Sequence, residues 1–87
     1  MPKKKAPYYP IYLDIEDRDV LIVGGGGVCA RKAASLLRYG ARVTVVSPVV
    51  AEEVRRMADA GQIVLLEKSY EPDDLAGSTL VIASTDD

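Results

Sequence analysis

The 87-residue chain contains no histidine, no tryptophan and no phenylalanine, and it has a single cysteine, Cys29. Each absence removes a class of function. Without histidine the chain lacks the commonest general base near neutral pH and the commonest metal ligand. One thiol among scattered carboxylates does not make a zinc or iron centre, so no metal site is expected. A lone cysteine excludes an intrachain disulfide, and such usage fits a reducing, cytoplasmic setting. No apolar run approaches the roughly 20 residues that span a bilayer. The basic cluster Lys3-Lys4-Lys5 has no apolar stretch behind it and does not read as a signal peptide. Positive charge is not in excess either: a net charge of −2 gives no reason to expect a nucleic-acid partner.

What is present is a globular composition, 48% hydrophobic, sufficient for one small domain. Residues 1–10, with Pro2, Pro7 and Pro10, read as an extended basic tail. The domain then occupies 11–87. "IYLDI" suits a short strand or an extended packing segment, and "EDRD" (Glu16 to Asp19) a polar turn. "VLIV" (Val20 to Val23) is a β-branched run suited to a strand buried on both faces. After four glycines, Val28, Ala30, Ala33, Ala34 and Leu37 fall on one helical face, and Gly40 stands where a left-handed cap belongs. "ARVTVVS" predicts a second strand. "SPVVAEEVRRMADAG" predicts a second helix with Ser47 capping it, Pro48 in its first turn, Gly61 closing it and Val50, Val54, Met57 and Ala58 inward. Glu52 and Arg56 are spaced as a helical ion pair. "IVLLE" and "TLVIAST" predict strands three and four, joined by a polar connection with one helical turn. This alternation predicts an α/β fold: a doubly wound parallel sheet in the order 3-2-1-4.

Four glycines in a row are costly to order, so the backbone there must turn sharply or let something approach closely. The frame Gly24-x-Gly26-x-x-Cys29 places a turn glycine directly after Val23, a second glycine for close approach of a pyrophosphate, and a small residue for helix–sheet packing. The frame Gly25-x-Gly27-x-x-Ala30 also fits. Amides from Gly26 onward would face phosphates at the positive end of the helix dipole. The strand–loop–helix context favours dinucleotide binding over a purely structural turn, and the absence of a following Gly-Lys-Ser/Thr excludes a P-loop.

An acidic residue about 20 positions later usually binds the NAD ribose. Here "VVSPVV" offers only Ser47, as a ribose ligand or as a helix cap, and no lysine or arginine follows closely for NADP. The remaining strand ends supply Lys68-Ser69-Tyr70 and Ser84-Thr85-Asp86, of which Ser84 and Thr85 are the expected cofactor-site residues. Arg31 and Lys32 suit either an anionic ligand or a solvated face. Cys29 suits a small core position, with a thiol pKa that a helix N-terminus would lower.

The stretches Tyr9–Pro48 and Ala58–Asp87 resemble the N-terminal domain of the siroheme-synthase group: precorrin-2 dehydrogenases, some also sirohydrochlorin ferrochelatases. The resemblance is carried by "P-I-Y-L" (Pro10–Leu13), "V-G-G-G-x-V-x-x-R-K-A" (Val23–Ala33) and "A-x-T-D-D" (Ala83–Asp87). It implies a Rossmann-like domain and NAD-dependent oxidation of precorrin-2, an octacarboxylate tetrapyrrole, to sirohydrochlorin. It also implies cofactor contacts at Gly24, Gly26, Gly27, Val28, Pro48, Val49 and around Thr85, in a dimeric full-length enzyme. The family lacks the acidic residue after strand two and still uses NAD. Gly27 departs from the pattern, because the family more often carries a side chain there, commonly acidic. Family members also continue past "TDD" to a catalytic aspartate. No catalytic residue is therefore assigned in this chain, and the domain is expected to be incomplete, with an open sheet edge. The alternatives are a non-catalytic nucleotide-sensing module and an interaction domain with a degenerate loop.

Overall fold

The computed structural model describes residues 10–83. The elements are β1 (Asp19–Gly25), α1 (Gly27–Arg38), β2 (Arg42–Val50), α2 (Glu52–Asp59), β3 (Val64–Leu66), a 3-10 turn (Pro72–Leu75) and β4 (Leu80–Ala83). All strand pairings are parallel and the order is β3-β2-β1-β4, as the alternation of elements predicts. The expected tail and the Ser84 and Thr85 positions lie outside the described residues, apart from Pro10.

Successive side chains of a strand point to opposite faces, and the two faces here are covered differently. Val20 and Ile22 of β1 and Val43 and Val45 of β2 pack in one core with Cys29, Ala30 and Ala33 of α1 and Val54 of α2. Small residues on α1 let its axis lie close to the sheet. The buried stripe of α1 is centred on Cys29, Ala30 and Ala33 and continued by Leu36 and Leu37. Ala34, expected on that stripe, is exposed. It lies one helical step beyond Ala33, on the solvent side of the true contact line. The predicted inward face of α2 holds for Val54, which is buried, and for Met57 and Ala58, which pack against the core; Val50 also packs there but belongs to β2, not to the helix. The Glu52–Arg56 pair forms at 3.7 Å. Both helices stop at glycines in the left-handed region, Gly40 (φ +85°) and Gly61 (φ +78°), where an L side chain would be strained.

The opposite face carries no long helix among the described residues. The β3–β4 connection runs across part of it as a strap, leaving a half-open pocket of about 250 Å³ lined by Leu21, Thr44, Leu66, Asp74, Gly77 and Ser78 among others. Lys68 Nζ ties the strap together, 2.8 Å from Asp74 Oδ1 and 3.7 Å from Glu71 Oε1. Glu71 and Asp74 form a capping box around the 3-10 turn, with the Glu71 amide donating to Asp74 Oδ2 at 2.8 Å. The lead-in 11–15 forms no strand; Ile15 is buried while Ile11, Tyr12 and Leu13 are exposed. Its end is fixed by a turn in which the Asp17 amide donates to the Gly40 carbonyl at 2.9 Å.

Two exposed ion pairs and one partly buried pair make stability depend on pH. Hydrogen bonds from Arg42, Arg55 and Lys68 hold the carboxyls of Asp19, Glu67 and Asp74, respectively, below their ordinary values. A carboxyl whose folded pKa is depressed binds protons more readily when unfolded. Its contribution is complete above the unfolded pKa and lost as pH falls through the folded one. The partner pKa values of Lys68, Arg42 and Arg55 are raised, so their share persists until strongly alkaline pH. The urea midpoint is therefore expected to be level between about pH 6 and 8 and to fall below about pH 4, less steeply in high salt. Equal midpoints at pH 7 and pH 3 would show that these pairs contribute nothing.

Candidate functional site

The carboxyl end of β1 is where the chain's most flexible residues meet its most regular ladder. β1 takes in Gly24 and Gly25, and α1 begins at Gly27, with extended Gly26 as its N-cap. Gly24 makes the sharp turn at φ +116°, a conformation open to glycine and strained for other residues. Gly25 meets the close-approach requirement, but the partner is the protein itself. A Cβ built there would lie 2.7 Å from Val50 Cγ1 and 2.8 Å from the Val49 carbonyl oxygen. Neither sequence frame separates these two roles, because the close neighbour is 25 residues further along the chain.

Gly27 is different. A Cβ there would have no atom within 4 Å, and the residue is exposed. The position has room for a side chain such as the family commonly carries. Beyond it, the start of α1 is electrically open. Gly26 has no side-chain cap and the first turn holds no acidic residue. The Cys29 and Ala30 amides both return to the Gly26 carbonyl, at 3.0 and 3.3 Å. The Gly27 and Val28 amides precede the first intrahelical bonds, so their donors and the helix dipole suit an anion. A diphosphate fits this donor set.

The carboxyl end of β2 differs from the sequence expectation. Ser47 does not cap a helix and Pro48 is not in a helical first turn; both lie within β2, and α2 starts at Glu52 with Ala51 as its N-cap. The register jumps from Val23↔Val46 to Gly25↔Val50, so Ser47–Val49 bulge out opposite Gly24. Bulged positions tolerate proline because no ladder donor is required there. The Ser47 hydroxyl is buried and donates to the Val49 carbonyl at 2.6 Å, closing the bulge, and it accepts weakly from the Val49 amide at 3.4 Å. The Ala51 amide then donates to the Gly25 carbonyl at 2.7 Å. The bulge is thereby fastened to the glycine turn, with Val49 78% exposed beside it.

Cys29 is fully buried, as its small-core reading expects. Its thiol pKa, however, is raised rather than lowered. Burial dominates, and the nearby Lys32 charge offsets it only in part. Lys68, at the end of β3, is engaged with Asp74 in the strap. The cavity beneath the strap is lined by residues at the start of β1 and just before β4, so it lies at the opposite end of the strands from the glycine turn. Among the described residues no group of three or more His, Cys, Asp or Glu could hold a metal ion. No helix among them is long and apolar enough to cross a membrane.

A parallel 3-2-1-4 sheet, a glycine turn ending its central strand and an open helix start beyond that turn define a Rossmann-type dinucleotide-binding domain. The chain belongs to the NAD(P)-binding family NAD_binding_7, whose model matches residues 11–87. It is 44% identical over 80 residues to the siroheme synthase of Pseudoalteromonas atlantica, covering 92% of this chain and 17% of that protein. It is 47% identical over 79 residues to siroheme synthase 1 of Aeromonas salmonicida, again 17% of the relative's length. Among solved structures it is similar to SirC, precorrin-2 dehydrogenase, with a TM-score of 0.83 and 34% identity, covering 92% of this chain and 40% of that one. The resemblance to the NAD-binding domain of siroheme synthases thus holds in both sequence and fold, and the chain spans about one sixth of the length of those synthases.

Proposed function

We propose that this chain supplies the NAD-binding site of a precorrin-2 dehydrogenase, which oxidises precorrin-2 to sirohydrochlorin in siroheme biosynthesis. The observation that carries this reading is the uncapped start of α1 set directly after the Gly24 turn, at the carboxyl end of the central strand. The Gly26, Gly27 and Val28 amides hold the diphosphate, and Gly24 makes the turn that aims them. The Ser47–Val49 bulge receives the adenosine. Ser84 and Thr85, following β4, line the neighbouring part of the cofactor site. Bound NAD supplies the hydride acceptor for the tetrapyrrole, and no residue of this chain is assigned a catalytic role. Residues 11–87 form the NAD-binding unit of a cytoplasmic homo-oligomer whose partner is the tetrapyrrole substrate. The siroheme-synthase relatives and the SirC likeness support this reading.

Titration of the 87-residue chain with NAD, followed by amide chemical shifts, is expected to give saturable changes at Gly24–Val28, Ser47 and Val49. Dispersed amides that stay fixed at millimolar NAD would overturn the cofactor reading. Grafted in place of the matching segment of the Aeromonas salmonicida synthase, the chain is expected to support reduction of NAD by precorrin-2. A hybrid that folds and binds NAD but reduces none would remove the dehydrogenase assignment.

A further inference from the structure

Helices α1 and α2 start alike except at one position. Each follows an extended N-cap that makes no side-chain hydrogen bond. Each carries an arginine four residues after its first helical residue: Arg31 after Gly27, and Arg56 after Glu52. In α2 that spacing forms an ion pair, Glu52 with Arg56 at 3.7 Å. In α1 the first residue has no side chain, and Arg31 takes part in no ion pair among the described residues. α1 is also the one described helical element with no acid in its first turn. By contrast, α2 has Glu52 and Glu53 there, and the 3-10 turn has Asp73 and Asp74.

Without a ligand this placement is unfavourable, because a cation near a helix N-terminus opposes the dipole. Helical side chains lean toward the N-terminus, so a residue covers the surface over its neighbour four positions back. Four residues of helix rise about 6 Å, within the reach of an extended arginine. Arg31 is exposed and can span back to Gly27, where a Cβ would meet nothing within 4 Å. Lys32 has no such opening: four residues back stands Val28, and its charge lies near the Cys29 thiol. The open position adjoins the Gly27 and Val28 amides. A diphosphate there brings full negative charge, which amide and dipole partial charges match only in part. The planar guanidinium fork fits two phosphate oxygens at once.

We infer that Arg31, left without an acid at Gly27, folds back over the start of α1 and binds the NAD diphosphate as the cation of the site. The inference rests on the reading of the glycine turn as the dinucleotide site. The diphosphate takes in α1 the place that Glu52 holds in α2.

The test is calorimetric titration of the 87-residue chain with NAD at low and high salt, beside thermal melts of the unliganded chain. Arg31→Gln is expected to weaken NAD binding about tenfold, the scale of a charge-assisted hydrogen bond. Its unliganded melt should not fall, because the change removes a cation from the positive end of the dipole. The parent's affinity should drop more steeply with salt than the variant's. Arg31→Lys keeps the charge without the fork and is expected to lie between the two. Arg38→Gln removes the same charge from the last turn of α1, about 16 Å along the helix from Gly27, and should bind within about twofold of the parent. Parent-like binding by Arg31→Gln, or an equal loss for Arg38→Gln, would overturn the inference while leaving the dinucleotide site intact. A lower unliganded melt for both Arg31 variants would make the arginine a structural residue and overturn it too. Absence of NAD binding by the parent would overturn the underlying site assignment, and this inference with it.

Discussion

Replacing Gly25 with alanine is expected to lower the unfolding free energy by about 1–3 kcal/mol and the melting temperature by about 10 °C. The new Cβ would meet Val50 Cγ1 at 2.7 Å, the Val49 carbonyl oxygen at 2.8 Å and Ser47 Cβ at 3.1 Å. Rotation of Val50 could relieve the first contact. The second is with backbone, and that carbonyl also accepts the Ser47 hydroxyl. Relief therefore requires β2 to move away from β1, at the expense of the short Ala51–Gly25 hydrogen bond. Because the same movement displaces the bulge proposed to receive the adenosine, NAD affinity should fall in any folded fraction. Gly27→Ala is the informative contrast. Its Cβ would touch nothing, and alanine is preferred over glycine in a helix by up to about 1 kcal/mol. Thermal melts followed by far-ultraviolet circular dichroism should therefore move in opposite directions, or down for Gly25→Ala and unchanged for Gly27→Ala. Equal melts for Gly25→Ala and the parent would mean that the strand end yields freely and that close approach does not explain the glycine.

Ile22→Ala carries the other large effect, an expected loss of about 2–5 kcal/mol. Ile22 is fully buried in the central strand, paired with Val45 of β2 and Ile82 of β4, and belongs to the core beneath the helices. A cavity there cannot be closed by moving one edge, because both neighbouring strands are hydrogen-bonded to β1. Folded domains have only roughly 0.05–0.15 kcal/mol of stability per residue, so a loss of this size removes a large share of the total. Val64→Ala, on the exposed side of edge strand β3, should stay within about 0.5 kcal/mol of the parent. Urea titrations measure both changes. A midpoint for Ile22→Ala close to that of Val64→Ala would contradict the packing described for the central strand. Added NAD should raise the midpoint of any variant that retains the site, by the mass action of a ligand that binds only the folded chain.

The parts of the site that local pattern could show are those governed by neighbours in sequence. "VLIV" before four glycines and an apolar helical stripe after them define strand, turn and helix. Gly24 as the turn residue and Cys29 and Ala30 as small packing positions follow from that frame and agree with the structure. Gly40 and Gly61 likewise end their helices for a reason local to the backbone. The start of α2 was misleading because "SPVVAEE" carries a good helix signature: a serine cap, then proline, then acids. In the folded chain those residues have a stronger alternative. β1 offers a ladder partner at Gly25, and Val50 takes it. Pairing across 25 residues overrides a cap preference of about 1 kcal/mol. A latent signal was present in the length of the glycine run: a turn and a phosphate approach need two glycines, and one of the others, Gly25, has the close neighbour.

By itself the sequence determined the order of elements, the parallel 3-2-1-4 sheet and the glycine turn at the end of the central strand. Those follow from residue types and periodicities that act within about one element's length, and from the right-handedness of crossover connections. Only the tertiary structure decided which glycine lies against β2 and which stands in open space, that Ser47 latches a bulge instead of capping a helix, and that burial raises the Cys29 thiol pKa. It also decided that a strap pinned by Lys68 and Asp74 crosses part of the face opposite the helices. Each of these depends on which distant segment lies within a few ångströms, and that is set by packing the whole sheet at once rather than by any window of the chain.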